Sequence, residues 1–124
     1  MLTGTWFYKR EQQGVPGAIS RGEMGFDSEG HFNKLIVTSP IIVVANVKNY
    51  QGSLHVYPDG RVEGTIVDVE SFGLLIHSSK SIYRLRFNAD GTISGRRVTH
   101  VIETTGGVVT RNETVGYKYW MTKK

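Results

Sequence analysis

The sequence predicts an all-β chain folded as an up-and-down antiparallel meander β-barrel of about 8–10 strands. Three observations predict it. Residues 84–95, R-L-R-F-N-A-D-G-T-I-S-G, read as a hairpin in which Asn88-Ala89-Asp90-Gly91 suits a type I turn followed by a left-handed Gly. The same turn chemistry recurs at Asp27-Ser28-Glu29-Gly30 and Pro58-Asp59-Gly60, so the turn glycines Gly30, Gly60 and Gly91 stand about thirty residues apart. No run of helical period competes with the strand pattern.

The turn type sets the register. It opposes Phe26 to Phe32, Val56 to Val62 and Phe87 to Ile93, and places Leu85 with Phe87 and Ile93 on a core face. Arg84, Arg86, Ser94 and Arg96 then share a wet, basic face. In chain order, residues 3–12 form the first strand, with Trp6 and Tyr8 on one face, and Gly14-Val15-Pro16-Gly17 breaks it. Residues 18–26 and 32–38 follow, the latter ended by Ser39-Pro40. Residues 41–48 form a strand that is apolar on both faces in its first half. Tyr50-Gln51-Gly52 reads as a turn into 53–57, and 62–69 follows the second like turn. Residues 72–77 and 82–87 are separate strands joined by a Ser78-Ser79-Lys80-Ser81 loop. Residues 92–103 and 108–121 complete the set, with Thr105-Gly106-Gly107 as the last turn. A meander of this kind avoids exposed edges best by closing on itself, and its steady hairpins favour a barrel over a two-sheet sandwich.

At 124 residues the chain (1–124) is a single domain large enough to bury a core. Without Cys it has no disulfide, thiolate or zinc-thiolate chemistry. The N-terminus lacks the basic and apolar regions of a signal peptide, and no stretch is apolar enough to span a bilayer, so a cytoplasmic location is expected. The net charge of +4 is mild. No Lys/Arg cluster with interleaved aromatics argues for nucleic acid.

Leu2-Thr3-Gly4-Thr5-Trp6 resembles the Gly-x-Trp opening of the calycin barrels, which include lipocalins, fatty-acid-binding proteins and avidins. Residues 22–32 are similar to the G-x-h-x-F-x-x-x-G-x-F continuation of bacterial lipocalin-like domains. The resemblance covers roughly the first quarter of the chain and implies a lipocalin-like barrel, with Trp6 plugging one end above Gly4. It also implies an Arg from the last strand packed over that Trp, and Arg111 is the candidate by position. The connection at 13–17 is too short for a helical lid, and the middle of the chain has no Trp for a biotin site.

The strand faces nominate a pocket. With Trp6 inward, Tyr8 and Arg10 are inward too. The hairpin registers add Met24, Phe26 and Lys34, then Tyr83 and Arg97, and the last strand adds Tyr117 and Tyr119 on the face of Arg111, Glu113 and Val115. Aromatics with a few inward cations suit a small, mainly apolar acid whose carboxylate meets Arg97 while the rings cover its body. Two other readings stand beside this one for Arg97: a bulge that turns it to solvent, or a buried pair with Glu103 or Glu113.

The expected function is binding of a small apolar or acidic molecule in the barrel cavity. The alternatives are a filled barrel acting as an inhibitor or assembly factor, or a barrel isomerase or lyase using inner Tyr and Arg. No nucleophile–base arrangement, phosphate loop or cofactor motif is present. His31, His55, His77 and His100 fall on separate strands or turns without metal-ligand spacing, and His55 should face Glu63 as a surface pair. Asp68 and Glu70 read as a strand end. On the outer face Arg84 should oppose Arg96. Ile41, Ile42, Val43 and Val44, apolar on both faces, predict a homo-oligomer through that strand, with Val98 and Ile102 as further outer apolar residues.

Overall fold

A computed structural model describes residues 2–124. The strands are β1 (Gly4–Gln12), β2 (Ile19–Phe26), β3 (Phe32–Ser39), β4 (Val43–Val44), β5 (Tyr50–Val56), β6 (Arg61–Phe72), β7 (Leu75–Phe87), β8 (Ile93–Thr105) and β9 (Val108–Lys123). They form one antiparallel sheet in the order β4-β3-β2-β1-β9-β8-β7-β6-β5. Every sequential pair except β4 and β5 is a hairpin, and β9 returns to pair with β1. The chain is thus an all-β, up-and-down meander of nine strands, curled into a half-barrel. Its two edges meet at one end only, where His31 bridges to Ser53 and the Leu54 amide donates to the Gly30 carbonyl at 3.0 Å.

The three like turns lie together at that end. Phe26 pairs with Phe32, Val56 with Val62 and Phe87 with Ile93, as the turn chemistry requires. Side chains from these pairs fill the end with Trp6, Leu54, Leu85 and Met121. Each aliphatic side chain buried there contributes about 1.5–3 kcal/mol. The Trp6 indole N–H donates to the Leu2 carbonyl at 2.7 Å. The Lys123 ammonium, 4.9 Å from the indole centroid, is the last-strand cation over the ring. Arg111 does not occupy that place. It lies at the far end of β9, held by Glu103 and Glu113.

Four expectations are corrected. Residues 78–81 are not a loop but the middle of an unbroken β7, because β6 and β8 pair with them on both sides, Ser79 opposite Asp68 and Val101. Tyr50-Gln51-Gly52 is likewise strand, paired with 66–68 of β6. Of residues 41–48 only Val43 and Val44 pair, because Asn46 turns the chain into a short 3₁₀ segment by accepting from the Lys48 amide. Lys34 does not face inward. Phe26 opposes Phe32 but Gly25 opposes Lys34, so Asn33 is an extra residue on β3. The bulge moves Lys34 to the outer face, 3.2 Å from Glu23, and sends Leu35 and Val37 inside.

Candidate functional site

Above the packed end, the half-barrel encloses a cavity of about 330 Å³. Its floor is aromatic. Tyr8 of β1 and Tyr119 of β9 stack at 5.8 Å, and Tyr83 of β7 meets Tyr119 edge-on at 5.5 Å. Gly22 makes the stack possible, since a Cβ there would fall 2.7 Å from the Tyr8 ring. Burial raises the Tyr8 and Tyr119 hydroxyls above their ordinary pKa, so both stay protonated as donors at neutral pH.

Arg97 rises from β8 among these rings. Register runs unbroken from Ile93 to Glu103, so no bulge turns it outward. Its guanidinium carbon lies 4.4 Å from the Tyr117 centroid, 5.6 Å from Tyr119 and 5.8 Å from Tyr83. Nη1 reaches the Tyr83 hydroxyl at 3.5 Å, and the buried Nε has no partner. Arg10 of β1 lies 4.8 Å from the same Tyr117 ring, so two guanidinium groups contact one aromatic side chain. Each cation–π contact is worth about 0.5–2 kcal/mol, which holds the cations in place but does not neutralise them. Glu103 and Glu113, the carboxylates expected to pair with Arg97, are both taken by Arg111.

At the other end of the cavity stands Asp68 of β6, only 5% exposed. Oδ1 has no partner, and Oδ2 lies 4.0 Å from His77 Nε2. Burial, with a smaller contribution from Glu70 against the pull of His77, pushes its carboxyl up to about 6. His77 Nδ1 meets Glu103 Oε2 at 3.1 Å, and Arg111 Nη1 meets Glu103 Oε1 at 3.3 Å, which fixes the imidazole from behind. Burial, then the neighbouring Asp68, raises the Tyr50 hydroxyl above its ordinary range. Between the poles, the Ser81 and Thr99 hydroxyls bond each other at 2.9 Å.

Of the residues nominated from sequence, Tyr8, Arg10, Met24, Tyr83, Arg97, Tyr117 and Tyr119 line this cavity. Trp6 and Phe26 instead belong to the packed end, away from the cavity wall. Asp68, His77 and Tyr50 were not nominated. The signal for Asp68 was its parity with Val62 and Ile66, which puts all three on the inner face. Among the described residues no group of three or more His, Asp or Glu side chains converges as for a metal ion, and no helix is long and apolar enough to cross a membrane. No protein family, curated protein or solved structure matches the chain.

Proposed function

We propose that this chain is a lipocalin-like, calycin-type barrel that holds a small acid with a flat apolar body. Support for the family rests on Gly4 and Trp6 opening β1 and on a last-strand cation, Lys123, over the indole. Support for the function rests on one observation above the rest: Arg10 and Arg97 flank the Tyr117 ring inside a cavity, and among the described residues no carboxylate pairs with Arg97. A cation held in a partly dry space without a carboxylate gains from an anion beside it. Guanidinium donors suit a carboxylate, and the Tyr8–Tyr119 stack with Tyr83 offers flat faces to an aromatic or acyl body.

The test is titration with 4-ethylbenzoate by calorimetry, on the wild type and Arg97→Gln. Wild type should bind, and the variant should lose at least tenfold in affinity. Its melting temperature should stay within about 4 °C of wild type, the shift that goes with roughly 1 kcal/mol. Unchanged affinity, or a collapse of stability without wild-type binding, would show that Arg97 is structural.

A second observation favours self-assembly through the β3–β4 hairpin. Ile42 and Val44 are 79% and 73% exposed, and Ile41 and Val43 beside them are exposed as well. Phe72, Leu74, Val108 and Val109 on the β6–β7 and β8–β9 hairpin tips are also exposed. A second copy seated on this strand is the occupant proposed.

A further inference from the structure

We propose that Asp68 forms a second subsite of the cavity, one for a cationic group, so that the ligand is a zwitterion with an acid at Arg97 and an ammonium at the far end. This rests on the proposed anion site at Arg97 and names the ligand class for it.

Asp68 and Arg97 carry opposite charge and line the same cavity, yet they do not pair. Each keeps a buried polar atom without a partner, Oδ1 on the carboxylate and Nε on the guanidinium. Buried groups of this kind are satisfied in nearly all proteins. One left over is unremarkable, but here the two residues carry opposite charge and line one cavity, which suits a ligand with both a donor and an acceptor end. The separation of the poles follows from register. Asp68 stands opposite Ser79, and Arg97 opposite Tyr83, four residues further along β7. Four residues of strand span roughly 13 Å along the sheet and two strand spacings add roughly 10 Å across it, so the two backbones stand on the order of 16 Å apart before the sheet curls. That separation leaves room between the two contacts for a flat spacer lying over the tyrosines.

The surroundings of Asp68 favour a cation over an anion. Tyr50 from β5 and Glu70 from β6 add no positive charge. His77 from β7 lies 4.0 Å from Asp68 Oδ2, Arg111 lines the same cavity, and Lys80 and His100 line a shallower pocket on another side of Asp68. His77 Nδ1 is engaged by Glu103 of β8, which Arg111 of β9 holds in turn. The carboxyl titrating at about 6 is half-charged at that pH and gains fully from an ammonium only well above it.

The experiment compares 4-ethylbenzoate with 4-(2-aminoethyl)benzoate, which adds an ammonium at the far end of the same ring, by calorimetry at pH 8. Wild type should bind the amino acid at least tenfold more tightly than the plain acid. In Asp68→Asn the two should differ by less than twofold. On wild type alone, the preference should shrink from pH 8 to pH 5 as the carboxyl takes up its proton, and this arm needs no folded variant. Equal affinities in wild type, or a preference that survives in Asp68→Asn, would overturn the zwitterion and leave the anion site standing. If neither acid binds, the anion site fails and this inference falls with it.

Discussion

Asp68 is a carboxylate that the fold tolerates at a cost. Its folded pKa of about 6 lies above the roughly 3.9 of an unfolded Asp, so the folded state binds the proton more tightly. Stability from this group is therefore full below pH 4 and declines as pH rises from 4 to 6, levelling above that. Asp68→Asn should stabilise the protein at pH 8 by an amount on the order of 2 kcal/mol, and the gain should vanish near pH 4. Urea denaturation of both proteins at the two pH values measures this. A variant less stable than wild type at pH 8 would show that the His77 contact outweighs burial. Arg97 and Tyr83 were legible at this scale because the Asn88–Gly91 turn lies close in sequence and counts outward to their pairing. Asp68 was hidden because a carboxylate near the end of an apolar alternation usually marks a strand end. Only the extension of β6 to Phe72 puts it mid-strand.

At the scale of elements, the closure of the sheet depends on Gly30. Its φ of 82° is in the left-handed region, and a Cβ there would lie 2.1 Å from the Leu54 carbonyl oxygen. Both the turn and the close approach of β5 therefore need glycine. Gly30→Ala should cost roughly 2–3 kcal/mol, more than the left-handed conformation alone, since β5 must also move away. Gly91→Ala is the control, because its φ is 85° with open space around the added methyl. Thermal denaturation should show the Gly30 variant clearly less stable than the Gly91 variant, and equal losses would deny the contact with Leu54 its role. The same scale explains the misread loop at 78–81. Ser and Lys have little strand propensity, but Ser79 and Ser81 face a polar cavity, where a bulky apolar residue would fill the space.

For the whole molecule, the two ends differ in chemistry. The turns at the packed end carry Asp27, Glu29, Asp59 and Asp90, whereas residues 35–47, 71–76 and 104–110 contain no charged side chain. Ile42→Lys and Val44→Lys should leave the fold intact, since both side chains are exposed, and should yield a smaller species in sedimentation velocity. Identical sedimentation of wild type and both variants would remove the β3–β4 hairpin as an interface between copies.

The amino-acid sequence by itself determined the all-β class, the three hairpin registers and the inward set of Tyr8, Arg10, Tyr83, Arg97, Tyr117 and Tyr119. These follow from turn chemistry and side-chain alternation, which act over a few residues. Tertiary structure alone decided the rest. An extra residue at Asn33 reversed Lys34, because a one-residue slip exchanges the faces of a strand. Pairing on both sides made β7 continuous, and that continuity carried His77 round to Glu103 and into reach of Asp68. Those three residues lie on different strands, and only the curl of the sheet opposes their pole to the arginines across one cavity.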